Sequence, residues 1–242
     1  MIPFKDDNPT RTFPFVVVAL ILANAAAFLY QASLPDPLAR RFVYTYAAIP
    51  ALITHQKTLP FATGFSPVWT LFTSMFLHGG LLHIGGNMLF LWVFGNNIED
   101  LLGHLRFIAF YLVCGLAAML AQVIVNPASS VPMLGASGAI AGVLGAYALR
   151  YPGARVHTLI LPLPIVLRLP ALFVLGYWFF LQWVGGQKAL MSAQAGGVAF
   201  FAHIGGFVAG MVLVNVFRLG RRLPPPPRPR EYRREYYEDQ GW

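Results

Sequence analysis

Six apolar runs, separated by polar or proline-containing connections, dominate this 242-residue chain. Hydrophobic residues make up 57% of it and charged residues only 11%, whereas soluble domains have about 25% charged residues. Such runs are typical of transmembrane helices. The predicted spans are Phe13–Tyr30, Leu82–Ile98, Phe107–Val125, Gly135–Leu149, Ala171–Val184 and Val198–Phe217. The expected fold class is therefore an all-α, polytopic membrane protein with six transmembrane helices.

The fourth predicted span is too short to cross a bilayer. At about 1.5 Å per residue it rises roughly 22 Å, whereas the hydrocarbon core is about 30 Å thick. Backbone that ends inside a membrane is tolerated only where it is buried in protein or lines a wet cavity. Ser137 lies near the start of this run, so we expect its hydroxyl at a water-accessible site below the membrane surface.

The connections between the spans differ in character. Gln31–Leu81 is long, mixed and rich in aromatic residues, which favours packing in or on the headgroup layer. Thr158–Pro170 contains three prolines and is predicted to be an irregular apolar entry to the fifth span. Lys5 and Arg11 precede the first run and could belong to a signal peptide. Since further membrane segments follow, a retained helix is favoured.

The net charge of +8 is concentrated near the C-terminus, where seven of the 17 basic residues lie between Arg218 and Arg234. A basic segment beside a span favours an anionic lipid surface as partner, rather than nucleic acid. We predict a membrane domain over residues 1–218 and a Pro/Arg/Tyr-rich cytoplasmic tail over 219–242. Pro224–Pro227 favours polyproline II, and the charged end is expected to be disordered.

Basic residues also predict an orientation. Turns on one side of the predicted bundle, together with the C-terminus, carry Arg106, Arg150, Arg155, Arg218, Arg221 and Arg222. By the positive-inside rule both termini are cytoplasmic, and the segment before the fourth helix faces outward. The long first connection places Arg40, Arg41 and Lys57 outside, but its length reduces their weight. We expect a multi-pass protein of a bacterial-type inner membrane.

A histidine in the middle of the sixth span is costly in lipid and is functional by default. His203, Gly206 and Gly210 share one helical face, because residues three and seven apart are stacked. Glycines four apart let another backbone approach closely, and the fourth span offers a matching pair, Gly138 and Gly142. Ser137 and His203 are thus expected to lie close together. A structural histidine bonded to a carbonyl is the alternative.

The second span begins with another polar pair. His83 and Asn87 are four residues apart and therefore lie on one face, at about the depth expected for Ser137. An amide NH2 aimed at a developing oxyanion suits acyl transfer, and free N–H groups at the start of the fourth helix would add donors. Interhelical hydrogen bonds that hold the bundle together are the alternative role for Asn87.

The positions of the carboxylates exclude a Ser-His-Asp triad. The nine acids are Asp6, Asp7, Asp36, Glu99, Asp100, Glu231, Glu235, Glu238 and Asp239. None lies in an apolar span near Ser137 or His203, so serine chemistry must use a Ser–His dyad. Metal chemistry is disfavoured because no carboxylate accompanies the buried histidines, and no metal or other cofactor is expected. The single cysteine, Cys114, is expected to be core packing.

Three motifs on separate predicted helices closely resemble those of the rhomboid intramembrane serine proteases. They are His83-xxx-Asn87, Gly135-Ala136-Ser137-Gly138 and Ala202-His203-xx-Gly206-xxx-Gly210. The resemblance extends from Phe15 to Arg218, including Phe94–Glu99 and Arg106–Tyr111. It implies a six-helix rhomboid-like bundle with a short fourth helix and a long first loop.

The resemblance also implies roles for individual residues. Ser137 would be the nucleophile and His203 the general base. His83, Asn87 and the Ser137 backbone N–H would form the oxyanion hole, with Gly135 shaping the loop. The implied partners are the lipid bilayer and transmembrane protein substrates, which are cut within or near a spanning helix.

Two positions depart from the family pattern. Many rhomboids have a Trp-Arg pair in the first loop, whereas Thr70 follows Trp69 here, which bears on loop stability. Some members place an aromatic residue four positions after the serine, against the histidine; this chain has Ala141, so His203 is held less tightly or by another ring.

Two other functions are considered. A non-catalytic rhomboid-like protein would bind and escort transmembrane segments, but such proteins typically lack the serine or the histidine. A solute transporter fits broken helices, yet inverted repeats are not evident.

Overall fold

The computed structural model describes residues 1–55, 57–58, 64–162, 164–191 and 199–220. Its helices are α1 Phe15–Ser33, α2 Asp36–Tyr46, α3 Pro50–Ile53, α4 Thr70–Thr73, α5 Leu81–Leu102, α6 His104–Val125, α7 Ser137–Arg150, α8 Ala171–Met191 and α9 Phe200–Arg218. A 3-10 turn, Ser74–Phe76, follows α4. The strands are β1 Ile2–Asp6, β2 Arg155–Ile160 and β3 Ile165–Pro170. The predicted tail beyond Gly220 lies outside the described residues.

Several helices are suited to a membrane. Within the described ranges, α1, α6 and α9 are long and apolar enough to cross it by length and composition. Counting Thr70–Phe76 and α5 as one span, bent by 94°, gives a fourth. The short fourth helix is confirmed, because α7 has 14 residues and rises only about 21 Å. The total of six spans stays a prediction.

Helix α7 forms the centre of the bundle. Every residue from Gly138 to Ala148 is buried, and α5, α6, α8 and α9 all pack against it. A helix that is apolar on all sides is suited to such a position. The predicted burial of Cys114 is confirmed, since this α6 residue faces α7 in the core.

The contact between α7 and α9 is made by backbone. A Cβ atom at Gly206 would overlap the carbonyl oxygen of Gly138, and one at Gly210 would overlap that of Gly142. Such an approach is open only to residues without side chains. The glycine faces therefore fix how far the start of α7 lies from the start of α9.

The segment before α8 is a β-hairpin, so the expectation of an irregular entry is wrong. β2 pairs antiparallel with β3 on one side and with β1 on the other. Pro162 lies in the turn, and Pro170 lies at the end of edge strand β3, where a missing N–H is tolerated. The fold is thus mostly helical with one small sheet, rather than all-α.

Two carboxylates anchor the beginning of α1. Glu99, fully buried near the end of α5, accepts hydrogen bonds from the backbone N–H groups of Val16 (2.9 Å) and Val17 (2.8 Å). The neighbouring Asp100 accepts from the N–H (3.0 Å) and hydroxyl (2.8 Å) of Thr12. The first amides of a helix have no intrahelical acceptor, so the bonds to Glu99 satisfy donors of α1, whose positive end favours a negative charge nearby. The bonds to Asp100 hold the segment just before α1.

Both ends of the described chain lie at the same end of the bundle. β1 extends the sheet formed after α7, and the start of α1 is bound to the end of α5. Arg106, near the start of α6, donates to the carbonyls of Phe217 and Leu219 at the end of α9. Ser137 is at the opposite end of α7.

The described part of the first connection packs against the loop before α7. Ala48 and Met133 exchange two backbone hydrogen bonds, and the Gly135 N–H donates to the Ser74 carbonyl at 2.9 Å. Thr70 follows Trp69 at the position where the family pattern has an arginine. It is buried, and its hydroxyl donates to the Pro67 carbonyl. The connection therefore clamps the loop that leads to Ser137.

Candidate active site

The loop before Ser137 requires glycine at position 135. Gly135 has φ +122°, a region that side chains strongly disfavour. A Cβ atom there would also lie 2.8 Å from Nε2 of His83. The chain turns sharply at Gly135, and α7 begins two residues later at Ser137.

Ser137 and His203 are hydrogen bonded. The Ser137 Oγ atom lies 2.8 Å from Nε2 of His203, so a neutral imidazole accepts the hydroxyl proton. Gln122 of α6 holds the start of α9, because its Oε1 accepts from the N–H groups of Phe201 (3.1 Å) and Ala202 (3.3 Å). The structure thus brings together the serine and histidine expected from the sequence.

Two residues of α8 hold the other side of the imidazole. The Trp178 ring centroid lies 5.9 Å from that of His203 at an interplanar angle of 41°. Oε1 of Gln182, one helical turn further on, lies 2.8 Å from Nδ1 of His203. Another ring thus takes the place left by Ala141.

Three residues of the site were not predicted from the sequence: Gln122, Trp178 and Gln182. Gln122 and Gln182 are polar residues inside apolar runs. That is the signal that could have identified them, since buried amides in lipid must find partners.

His83 presents a donor towards the Ser137 loop. Its Nδ1 accepts from the N–H of Gly79 at 3.3 Å, which leaves Nε2 as the protonated nitrogen of a neutral ring. That Nε2 faces Gly135. The fully buried His78 ring packs edge-on against His83 at 5.2 Å.

Asn87 offers a second donor near the same loop. The side chain is 8% exposed, and its Nδ2 is buried with no hydrogen-bond partner. Nδ2 would lie 3.6 Å from a Cβ atom at Gly135. Leaving a buried donor unpaired costs about 1–3 kcal/mol, so this amide is available to an incoming acceptor.

One cavity is lined by the dyad and by the two donor residues of α5. Its volume is about 630 Å³, and its wall includes Ser137, His203, His83 and Asn87 together with apolar residues of α5, α7, α8 and α9. Its size falls in the range of ligand pockets, about 300–1,000 Å³. Within the described ranges no Asp or Glu lines it; Glu99 instead binds the start of α1.

Comparison with known proteins points to one family. The family profile described as "Rhomboid domain" matches residues 66–219, a range that contains all four polar site residues. Rhomboid protein 1, mitochondrial, of Saccharomyces cerevisiae is 31% identical over 203 residues, covering 81% of this chain and 51% of that protein. Rhomboid protease GluP of Bacillus subtilis is 41% identical over 143 residues, covering 59% of this chain and 25% of that protein.

A plant relative covers more of the chain. RHOMBOID-like protein 1 of Arabidopsis thaliana is 29% identical over 245 residues, covering 88% of this chain and 56% of that protein. The chain thus spans 25% to 56% of the length of these three relatives. Together with the membrane-length helices, these matches identify an integral, multi-pass membrane protein.

Proposed function

Because this chain belongs to the rhomboid family, we propose that it is an intramembrane serine endopeptidase whose substrates are transmembrane proteins. The observation that carries the proposal is the 2.8 Å hydrogen bond between Ser137 Oγ and His203 Nε2 at the wall of the cavity. A hydroxyl bonded to a neutral imidazole is the arrangement that activates a serine nucleophile.

The reaction runs through an acyl-enzyme. Ser137 Oγ attacks the scissile carbonyl carbon while its proton passes to Nε2 of His203. The imidazolium then protonates the leaving amine as the peptide C–N bond breaks. A water molecule, deprotonated by His203, hydrolyses the ester and restores the serine.

Three donors can stabilise the tetrahedral oxyanion. They are the unpaired Nδ2 of Asn87, the Nε2–H of His83 and the N–H of Ser137. The first amides of α7 have no carbonyl to donate to within the helix. Preorganised donors aimed at the developing charge stabilise the transition state without having to reorganise during the reaction.

The position of the site supports the proposed substrate class and orientation. An open cavity at the start of a short membrane helix admits an unwound transmembrane segment, with cleavage within or near that span. Both described chain ends lie at the opposite end of the bundle, beside basic residues, which supports cytoplasmic termini and a bacterial-type inner membrane.

The decisive experiment combines labelling and cleavage in detergent. A fluorophosphonate should label the wild type and not Ser137→Ala, and a reporter transmembrane substrate should be cleaved only by the wild type. His203→Ala should be equally inactive and the double variant no worse, because members of one catalytic unit are not additive. Ser129→Ala is a matched control, since Ser129 lines the same cavity.

Substantial cleavage by purified Ser137→Ala would refute the dyad. A wild type that binds transmembrane segments without cleavage or labelling would instead identify the non-catalytic escort function.

A further inference from the structure

The side-chain amide of Gln182 contacts the histidine of the dyad. It is half-buried on α8, and its Oε1 lies 2.8 Å from Nδ1 of His203. The opposite ring nitrogen faces Ser137. The amide and the nucleophile therefore hold the imidazole from both sides.

A carbonyl oxygen can only accept a hydrogen bond, so Nδ1 must carry the proton. In a neutral ring Nε2 is then unprotonated and can accept the proton of the Ser137 hydroxyl. The opposite tautomer would present an N–H to the serine and could not act as its base. The acceptor at position 182 thus selects the tautomer that catalysis needs.

We propose that Gln182 is a positioning residue that fixes the tautomer and ring plane of His203, a role that rests on the proposed protease function. In the described part of the chain no carboxylate lines the cavity. The uncharged amide of Gln182 therefore stands where a triad would have its carboxylate. Trp178, four residues earlier, holds the ring face, so one helix supplies both restraints.

The test compares Gln182→Leu, which removes the acceptor, with Gln182→Glu, which keeps an acceptor and has no donor when ionised. Gln182→Leu should lower kcat about ten- to thirtyfold, the value of one well-placed hydrogen bond. KM and Tm should stay near those of the wild type. Gln182→Glu should recover kcat to within about threefold. Gln187→Leu is the control, an exposed glutamine on the same helix.

The pH profile supplies a readout that a purely structural role would not move. A carboxylate at position 182 favours the imidazolium, so the acid limb of the kcat profile should move up by about one pH unit in Gln182→Glu. The other titratable group that lines the cavity in the described ranges is His83 of α5, and it is unchanged in this variant.

Wild-type kcat in Gln182→Leu would overturn the role of Gln182 while leaving the protease function intact. Equal loss of kcat and Tm in both variants, with no shift of the acid limb, would also overturn it, because that pattern belongs to a packing residue. If the wild type shows no more fluorophosphonate labelling and no more substrate cleavage than Ser137→Ala, both proposals fail together.

Discussion

At the residue scale, the site combines satisfied and unsatisfied polar groups. Ser137, His203 and Gln182 form a chain of hydrogen bonds, whereas the Nδ2 of Asn87 is buried without a partner. A group that only packs helices together is expected to be satisfied in the resting protein. The unpaired amide therefore favours an oxyanion role for Asn87 over interhelical bonding.

Asn87→Ala should lower kcat with little change in KM. Loss of one oxyanion donor typically costs about 10²–10³ in kcat. Because no resting hydrogen bond of Nδ2 is lost, Tm should change little. Steady-state kinetics on a reporter substrate and thermal unfolding of the same preparation provide the measurement. A large drop in Tm with near-normal kcat would assign Asn87 to bundle packing.

The proximity of Ser137 and His203 could be predicted because glycine spacing indicates which faces of two helices meet. The residues that contact the other side of the His203 ring could not be predicted. An apolar run such as α8 has no amphipathic pattern to show which side faces the bundle. The placement of Trp178 and Gln182 beside His203 therefore emerges only from tertiary packing.

At the element scale, the α7–α9 contact sets the spacing of the dyad. Gly206→Val or Gly210→Val should lower both Tm and activity, since a branched side chain would overlap carbonyl oxygens of α7. The catalytic variants should lose activity alone. Gly176→Val of α8 is the matched control, because a Cβ atom at Gly176 meets nothing within 4 Å. Unchanged melting and activity in both α9 variants would contradict this packing.

The sheet carries a titratable group that links β1 to α7. Asp6 accepts a hydrogen bond from the Tyr147 hydroxyl. Burial raises the pKa of Asp6 from 3.8 to about 6, although the Tyr147 hydrogen bond partly opposes this. The folded protein thus holds this proton more tightly than the unfolded chain. This contribution to stability is complete below about pH 4 and is lost as the pH rises through 6.

Asp6→Asn should therefore be more stable than the wild type at pH 7 and not at pH 4. Allowing for solvent screening, the gain is about 1–2 kcal/mol, or a Tm difference of about 2–8 °C. Thermal unfolding across this range measures it. Burial also acts to raise the pKa of Asp7, but hydrogen bonds from Arg168 and His157 lower it overall. Asp7→Asn should therefore be less stable than the wild type at pH 7. A change of stability in the same direction in both variants would contradict the opposite pKa shifts of Asp6 and Asp7.

The long apolar helices were predictable, whereas the short helices α2, α3 and α4 of the first connection and the sheet were not. Apolar runs indicate helices directly, but the β2–β3 hairpin contains prolines that also suit an irregular segment. Strand β1 completes the sheet, although it lies some 150 residues before β2 along the chain; its Ile2 pairs with Leu159. Local patterns cannot show a pairing at that separation.

At the scale of the whole molecule, the two ends of the bundle differ in chemistry. Three features lie at one end: the acids that hold the start of α1, the three-stranded sheet, and Arg106, which binds the end of α9. The other end carries the cavity and the clamped loop before Ser137. The proposed orientation, based on the positive-inside rule, has the first end on the cytoplasmic side.

Single cysteines can test this orientation. In intact cells a membrane-impermeant maleimide should label Ser130→Cys, at the cavity end, and should label Lys5→Cys and Leu219→Cys only after permeabilisation. The parent protein is the control, because its single cysteine, Cys114, is buried. The reverse labelling pattern would invert the orientation.

The packing of α7 against α9 has a consequence for how this protein can evolve. Their spacing depends on the glycine faces, and Oε1 of Gln122 on α6 accepts a hydrogen bond from the Phe201 N–H at the start of α9. None of these contacts uses the hydroxyl of Ser137. Under the proposed function, one codon change at Ser137 therefore removes the nucleophile and leaves the architecture. A duplicate of this gene would then keep the cavity and the proposed binding of transmembrane segments, and would lose the proposed cleavage, in a single mutational step.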